Sequence, residues 1–257
     1  MLLYRVGPES YHAVETDEGE LRVLFSDPYE ASPADWRLGR KLELEPKGLL
    51  APVVPSKIVG IGRNYVQHAK ELGNPVPDEP LLFLKAPSSL VGPGATVVLP
   101  PESERVEFEG EIAVVVRRRL CRASADEARA AILGVTCACD VTARDLQRRD
   151  ATFARGKSFD TFCPVGPALL LEPELEALSV ETRVNSRVKQ QGSTSEMIWS
   201  ITELLVYASQ MMTLEAGDVV LTGTPEGVGP LAPGDELEVE VSGVGVLENR
   251  VEAWRQL

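Results

Sequence analysis

The 257-residue chain is poor in the features that build disulfide scaffolds, zinc sites and membrane spans. It has four cysteines, Cys121, Cys137, Cys139 and Cys163, and no Cys-x-x-Cys pair, so we expect buried free thiols. Its apolar runs are far shorter than the ~20 residues that cross a membrane. The N-terminus has no charged region followed by a long apolar stretch, which predicts no signal peptide and a cytoplasmic protein.

Positive charge is also scarce in this chain. Lysine and arginine number 26 against 39 aspartate and glutamate residues, which gives a net charge of −13. Phosphate backbones and anionic membranes are bound by clustered basic residues, so we expect neither a nucleic acid nor a membrane as a partner. Only two histidines, His12 and His68, are available for histidine chemistry.

The domain organisation is indicated by prolines. Pro46, Pro52 and Pro55 fall close together after a segment of short predicted strands. This cluster predicts a boundary near residues 46–56, between a small N-terminal β domain of residues 1–50 and a second unit of residues 51–257. The first segment is too short for a robust core of its own, so we expect it to dock on the rest. Strands outnumber helices without regular alternation, which predicts an α+β, mainly β fold.

Three glutamates alternate along the strand predicted for residues 106–116: Glu107, Glu109 and Glu111. Successive side chains of a strand point to opposite faces, so the three carboxylates share one face. Stacked carboxylates repel unless positive charge lies between them, and the row is therefore either a solvated acidic edge or a cation site. Ala113 and Val115 continue this face as apolar, which favours the cation site because unpaired buried charge is unfavourable.

A second group follows an apolar strand. Asp140 ends the strand, and Arg144 and Gln147 come next at the spacing of one face of a helix predicted for residues 142–150. The three side chains either point into one pocket, or Asp140 caps the helix and Arg144 pairs with a surface acid. Lys157 lies among glycine, serine and aromatic residues, which suggests that its side chain is positioned for a functional role. An ordinary surface lysine is the alternative.

Two further segments carry candidate groups. His68 and Glu71 are three residues apart on a helix predicted for residues 64–72, where a carboxylate can orient an imidazole and raise its basicity. A solvated surface pair is the alternative. Thr224 lies in a glycine-rich segment without the Gly-Lys-Ser/Thr of a phosphate loop, so nucleotide binding is not expected. Its hydroxyl either binds a substrate oxygen or belongs to a tight turn only.

Together these segments resemble the fumarylacetoacetate hydrolase superfamily, from about residue 57 to about residue 253. Cys139 is a departure, because many relatives have asparagine there, but it adjoins a predicted ligand without being one. The resemblance rests on the order and spacing of these motifs: Gly62-Arg-Asn-Tyr65 with His68, Leu82-Phe-Leu-Lys85, Glu109-Gly-Glu111, Asp140-Val-Thr-Ala-Arg-Asp145, Gly156-Lys-Ser-Phe159, Cys163-Pro164, and Leu221-Thr-Gly-Thr-Pro225.

The resemblance implies a mixed β-sheet roll with a few flanking helices and a small N-terminal β-segment, assembled as a homodimer. It makes Glu109, Glu111 and Asp140 the ligands of one Mg²⁺ or Mn²⁺ per subunit, since three oxygen donors suit either ion. It implies that His68, Glu71 and Lys157 are catalytic, with His68 and Glu71 on a mobile lid. The residues that it places against the substrate are Arg63, Tyr65, Lys85, Arg144, Gln147 and Thr224.

The function implied by the resemblance is metal-dependent enolate chemistry on 2-oxo or 2-hydroxy-dienoic dicarboxylic acids. Tautomerisation or decarboxylation of the 2-hydroxyhepta-2,4-diene-1,7-dioate isomerase type, in aromatic catabolism, is the first expectation. The alternatives are a hydrolase of acylpyruvates or fumarylacetoacetate and an oxaloacetate decarboxylase. A non-catalytic cation-binding β protein is less well supported, because neither Lys157 nor the His68–Glu71 pair is needed to bind a metal.

Overall fold

The computed structural model describes residues 1–8, 10–16, 18–43 and 48–255, so Pro46 of the predicted boundary lies outside the described residues. The helices are α1 (Val66–Glu71), α2 (Ala125–Ala130), α3 (Arg144–Arg149), α4 (Ala154–Lys157) and α5 (Ile201–Met211). The strands are β1 (Leu2–Val6), β2 (Tyr11–Glu15), β3 (Leu21–Leu24), β4 (Leu38–Lys41), β5 (Leu49–Leu50), β6 (Ile58–Gly62), β7 (Leu81–Lys85), β8 (Leu90–Val91), β9 (Thr96–Leu99), β10 (Val106–Phe108), β11 (Gly110–Val116), β12 (Ile132–Cys139), β13 (Thr142–Ala143), β14 (Cys163–Leu171), β15 (Ser179–Val184), β16 (Arg187–Ser193), β17 (Val219–Leu221), β18 (Gly229–Pro230), β19 (Glu236–Val241) and β20 (Gly245–Ala253).

The centre of the molecule is a mixed sheet of twelve strands. Ten of them follow the order β4-β3-β2-β1-β14-β12-β11-β17-β6-β7, while β5 pairs with β1 and β8 with β14. Most neighbours are antiparallel, but β17 runs parallel to β6. The central strands β11 and β12 are buried along almost their whole length. Continuous apolar sequence in β12 is what a strand covered on both faces requires.

Two hydrophobic clusters cover the two faces of this sheet. On one face, Ile112 and Val135 pack in the same cluster as Val180 and Leu247 of a five-stranded sheet with the order β16-β15-β19-β20-β9. Helices α2 and α5 join this cluster, and each begins with the capping box that its sequence indicates. The α+β, mainly β fold is thereby confirmed. No helix of the described residues is long and apolar enough to cross a membrane.

The N-terminal strands extend the large sheet. β1 pairs antiparallel with β14, with Leu3 opposite Leu169. Leu3 and Val14 are buried in the same cluster as Ala113 on the second face of the sheet. The first residues therefore share their core with the rest of the chain, while the division into domains at residue 50 stays a prediction.

The structure corrects three local predictions. The strand predicted for residues 106–116 is interrupted at Glu109, because β10 pairs with β13 and β18 whereas β11 pairs with β12 and β17 of the large sheet. The helix predicted from residue 142 begins at Arg144, after the short strand β13. Among the four cysteines, which are all free, Cys121 is exposed rather than buried.

Candidate active site

Three buried carboxylates meet around the interruption between β10 and β11. Glu109 lies at the interruption, Glu111 is the second residue of β11, and Asp140 directly follows β12. One oxygen from each lies within 4.8 Å of the other two. Glu107 is not in this group, because its oxygens accept hydrogen bonds from Arg144 Nε at 2.6 Å and from Arg105 Nε. The three alternating glutamates are therefore divided between two groups. Glu109 and Glu111 join Asp140 in an acidic cluster (Glu109, Glu111, Asp140), and Glu107 belongs to a separate ion pair.

Two glycines allow this arrangement. A Cβ atom at Gly110 would lie 1.8 Å from the hydroxyl oxygen of Thr182, so the segment between the two glutamates approaches its neighbour too closely for any side chain. Gly223 has a φ of +99°, and a Cβ there would lie 2.7 Å from Cβ of Asn64. The Gly223 N–H donates to Glu111 Oε2 at 2.6 Å. Both glycines are thus packing requirements of the acidic cluster.

Buried cations surround the acidic cluster. Lys157 Nζ donates to Glu109 Oε2 at 2.7 Å and to Asp140 Oδ2 at 2.5 Å. Lys85 Nζ donates to the other oxygen of Asp140 at 2.6 Å. Arg144 Nη2 donates to Glu109 Oε1 at 2.5 Å. Glu109 and Asp140 are therefore each held by two charge-assisted hydrogen bonds.

The charges in the cluster are unevenly compensated. Burial by itself raises the pKa of Glu109, but the ammonium of Lys157 and a neighbouring guanidinium hold it well below its usual range. Burial lowers the pKa of Lys157, but Asp140 and Glu109 outweigh this and raise it, so the side chain stays an ammonium. Glu111 differs, because burial and then the charges of Asp140 and Glu109 raise its pKa well above the ordinary value.

This imbalance fits a divalent cation. Glu111 is 1% exposed, and the Gly223 N–H is the one hydrogen-bond donor that its carboxylate meets among the described residues. A cation shared with Glu109 and Asp140 would compensate its charge, and an all-oxygen donor set suits Mg²⁺ or Mn²⁺. The acidic cluster is therefore a set of side chains that could hold one such ion, and its ligand role stays a prediction.

A cavity of about 370 Å³ opens over the acidic cluster. Gln147 holds its place on the wall by accepting a hydrogen bond from Arg144 Nη1 at 2.6 Å. The cavity wall includes eight of the residues that the sequence predicts for the site: Arg63, His68, Glu109, Glu111, Arg144, Gln147, Lys157 and Thr224.

Tyr65 and Lys85 are predicted substrate contacts that the structure does not place on the cavity wall. Lys85 is 1% exposed and is bonded to Asp140 from outside the cavity. The hydroxyl of Tyr65 is buried without a hydrogen-bond partner in the described part of the chain, and burial followed by the charge of Glu111 raises its pKa. Lys85 therefore supports the acidic cluster through Asp140, and direct contact of either side chain with a substrate stays a prediction.

The predicted dyad lies beside the acidic cluster. His68 is buried on α1 and faces the cavity, while the carboxylate of Glu71 lies outside the cavity wall. His68 Nδ1 is 3.6 Å from Glu71 Oε2, which is too long for a hydrogen bond. Glu71 also accepts the Gly227 N–H at 3.1 Å, which fixes its orientation. Burial lowers the pKa of His68, so the imidazole is neutral near pH 7 and able to accept a proton.

Thr224 is positioned by hydrogen bonds within the protein. Its hydroxyl donates to the carbonyl of Gly110 at 2.8 Å and accepts from Gln190 Nε2 at 2.7 Å. The hydroxyl proton is thus already committed to the protein. What Thr224 can still offer to a substrate is its oxygen as an acceptor and its methyl group as a surface.

The sequence analysis missed part of the cavity wall. Arg148 follows Arg144 by four residues on α3 and lines the cavity, so the helical spacing that selected Gln147 also pointed to it. Phe83 and Phe153 line the wall as an edge-to-face pair with ring centroids 5.8 Å apart. The signal for Phe83 was the alternation of β7, which puts it on the same face as Lys85.

Comparisons with known proteins agree with this site. Residues 57–252 match the family described as Fumarylacetoacetate (FAA) hydrolase C-terminal. A mitochondrial oxaloacetate tautomerase of Homo sapiens is 45% identical over 215 residues, which cover 79% of this chain and 68% of that protein.

Two solved structures from mycobacteria superpose closely on the whole chain. A 5-carboxymethyl-2-hydroxymuconate delta-isomerase of Mycobacterium smegmatis is 35% identical with a TM-score of 0.88, covering 99% of this chain and 100% of that one. A 2-hydroxyhepta-2,4-diene-1,7-dioate isomerase of Mycobacterium marinum is 35% identical with a TM-score of 0.88, covering 100% of both chains. The chain, with its acidic cluster at the interruption between β10 and β11, belongs to the fumarylacetoacetate hydrolase family.

Proposed function

We propose that the protein is a divalent-metal-dependent tautomerase that interconverts the keto and enol forms of 2-oxo dicarboxylic acids. One observation carries the proposal: Glu109 and Glu111 of the acidic cluster, the ammonium of Lys157 and the imidazole of His68 line a single cavity. A divalent ion bound by the cluster would supply Lewis-acid stabilisation of a substrate enolate.

The protonation states divide the roles between Lys157 and His68. Lys157 keeps its proton because its pKa is raised, so it is suited to stabilise negative charge on the substrate oxygen rather than to accept a proton. His68 has a lowered pKa and is neutral at pH 7, so it is suited to take a proton from the carbon beside the keto group and to return it. Glu71 would orient the imidazole from outside the cavity.

The three relatives named above support proton transfer over cleavage of a carbon–carbon bond. The human relative is a tautomerase, and the two mycobacterial structures are those of isomerases. Decarboxylation and hydrolysis remain the alternatives, since all three reactions pass through an enolate. We further propose that the protein binds one Mg²⁺ or Mn²⁺ per subunit, forms a homodimer, and acts in the cytoplasm in aromatic catabolism.

The test is a substrate panel with separate readouts. Oxaloacetate, 2-hydroxyhepta-2,4-diene-1,7-dioate and acetopyruvate are incubated with the Mg²⁺- or Mn²⁺-loaded protein, and enol absorbance, CO₂ release and acetate formation are followed. We expect an enol absorbance change with the dicarboxylic acids, lost in excess EDTA and restored by Mn²⁺. Full activity in EDTA would refute the metal dependence, and CO₂ or acetate as the main product would replace the tautomerase by a decarboxylase or a hydrolase.

A matched pair of variants links the activity to the acidic cluster. Asp140→Asn removes a charge from the cluster and should abolish activity. Asp145→Asn changes an aspartate five residues further along, whose carboxylate holds the Ser103 hydroxyl at 2.6 Å, and should retain activity. Equal loss in both variants would show that the activity does not depend on the cluster.

A further inference from the structure

We infer that Arg63 and Arg148 form a second anion site on the cavity wall, which binds the distal carboxylate of a dicarboxylic substrate. The inference rests on the proposed function, because that function places the 2-oxo end of the substrate at the acidic cluster. Beyond that function, it names the two residues that select for a second negative charge at the other end of the substrate.

Most of the charged groups on the cavity wall are paired with other groups of the protein. Arg144 and Lys157 are bonded to carboxylates of the acidic cluster or its neighbour Glu107. Asp150, the remaining acid of the wall, is held at both oxygens by Arg155, with Nε at 2.7 Å and Nη2 at 2.5 Å.

Arg63 and Arg148 differ from the other charged groups of the wall. Within the described residues, no carboxylate lies at ion-pair distance from either guanidinium. The cavity therefore presents two positive charges without a protein carboxylate beside them in the described part of the chain. An anionic ligand could neutralise both charges.

Arg63 has a backbone conformation that favours glycine. Its φ is +59°, in the left-handed region that L side chains adopt at a cost and glycine adopts freely. The residue stands between β6 and α1, directly after Gly62 and next to the cavity. Strained backbone conformations cluster at functional sites. A glycine at position 63 would relieve the strain and lose only the side chain, which indicates that the arginine side chain is what this position retains.

The cavity wall combines charged and apolar groups. On α3, Arg144 is buried at the acidic cluster and Arg148 is exposed one turn later, which is ~6 Å further along the helix axis. Phe83 and Phe153 give the same wall an apolar surface. Carboxylates of the acidic cluster, two aromatic rings and two guanidinium groups that meet no carboxylate among the described residues share one cavity wall. Together they match an acid whose two carboxylates are separated by a hydrocarbon chain. The planar fork of arginine is suited to the second carboxylate.

The experiment compares two ligands that differ only at the distal end. 2-Oxoadipate and 2-oxohexanoate have the same carbon chain, which ends in a carboxylate in the first and in a methyl group in the second. Their affinities for the Mn²⁺-loaded protein are measured by titration calorimetry, with oxalate as a probe of the metal-binding end alone. We expect the protein to prefer 2-oxoadipate by about tenfold or more, and this preference to shrink as the salt concentration rises.

Two variants test the assigned residues and a third is the control. Arg148→Gln and Arg63→Gly should each reduce the preference for 2-oxoadipate several-fold and leave oxalate binding unchanged. Glycine is chosen at position 63 because it tolerates the positive φ. Arg149→Gln removes the same charge from the next position of α3, which is exposed and outside the cavity wall, and should keep the preference.

The outcomes separate this inference from the proposed function. Oxalate binding without any preference for 2-oxoadipate in the unmodified protein would overturn the second anion site and leave the proposed function standing. An equal loss of preference in Arg149→Gln and Arg148→Gln would also overturn it, since the effect would then be one of net charge. If oxalate itself fails to bind the Mn²⁺-loaded protein, the proposed function is wrong and the inference fails with it.

Discussion

Glu111→Gln should stabilise the metal-free protein and remove its affinity for Mn²⁺. Glu111 is 1% exposed, accepts a hydrogen bond from the Gly223 N–H, and lies within 4.8 Å of carboxylate oxygens of Glu109 and Asp140. Glutamine has nearly the same size, can accept the same hydrogen bond, and offers an N–H to the neighbouring carboxylates. The substitution therefore removes repulsion without opening a cavity.

Two estimates give the size of the effect. At an effective dielectric constant of about 20, two unit charges 4.8 Å apart repel by about 3.5 kcal/mol. Independently, at 1.36 kcal/mol per pH unit, forcing a glutamate with a solution pKa of ~4.3 to fold as the neutral acid at pH 7 costs at most about 3.7 kcal/mol. Lys157 offsets part of the repulsion, and a buried amide is not free of desolvation cost, so we expect a gain of about 2 kcal/mol.

The pH dependence follows from the raised pKa of Glu111. The folded state binds this proton more tightly than the unfolded state, so the stability of the metal-free protein falls as the pH rises above about 4. Below that pH the glutamate is protonated in both states, and the advantage of Glu111→Gln should disappear. The free energy of unfolding of the variant, relative to that of the unmodified protein, should thus increase as the pH rises from about 4 to about 7.

The assay is urea unfolding in EDTA, followed by tryptophan fluorescence and repeated with Mn²⁺. Mn²⁺ should raise the unfolding midpoint of the unmodified protein and leave that of Glu111→Gln unchanged. Glu107→Gln is the control with the opposite sign, because that carboxylate is paired with Arg105 and Arg144, and its loss removes one of the two carboxylates that compensate the buried guanidinium of Arg144. A Glu111→Gln protein that unfolds at lower urea than the unmodified protein in EDTA at pH 7 would refute the reasoning.

Three further predictions use other parts of the structure. His68→Ala should lower kcat by ~10²-fold or more and leave the Mn²⁺ affinity unchanged, whereas Glu71→Ala should lower kcat less. Steady-state kinetics measures kcat and titration calorimetry measures the Mn²⁺ affinity. A near-normal kcat in His68→Ala would show that the dyad is structural. Burial by itself raises the pKa of Asp218, but hydrogen bonds from a lysine and from backbone N–H groups hold it below its usual range, so this carboxylate stabilises the fold above pH ~4 and progressively less as the pH falls. Asp218→Asn should therefore be less stable by about 2 kcal/mol at pH 7, with a gap that closes in urea titrations at lower pH; a constant gap would contradict this account. Gly110→Ala should lose about 3 kcal/mol or more in thermal unfolding, because its Cβ would overlap the hydroxyl of Thr182, and an unchanged melting temperature would show that the sheets can separate there.

Each member of the acidic cluster could be singled out from a patterned segment of the sequence, but only the resemblance to the family joined the three as ligands of one metal. Alternation placed Glu109 and Glu111 on one side of a strand, and Asp140 was recognised at the end of a buried strand. What could not be predicted is the interruption at Glu109. The alternation continues through it, and only the pairing of β10 and β11 with partners in two different sheets reveals it.

The cavity wall could be predicted only in part, because it is assembled from segments that are distant in sequence. Arg148 stands in a helix with several arginines, where a solvated side chain is the ordinary expectation. Phe83 and Phe153 come from β7 and from the residue before α4, and each is unremarkable alone. Lys85 was predicted to contact the substrate, but the structure places it outside the cavity wall. A motif can bring a residue to a site without showing whether it faces the substrate or supports a ligand from outside the cavity.

The distribution of charge in the acidic cluster explains how the protein can fold before a metal is bound. Lys157, Lys85 and Arg144 neutralise Glu109 and Asp140, so that two of the three carboxylates are buried with partners. The uncompensated charge is confined to Glu111. If all three acids were paired, the fold would be more stable, but a cation would have to displace an ammonium or a guanidinium at every ligand. Leaving one carboxylate unpaired lowers stability by a tolerable amount and would retain an attraction for a divalent ion, a conflict between stability and function that is usual at active sites.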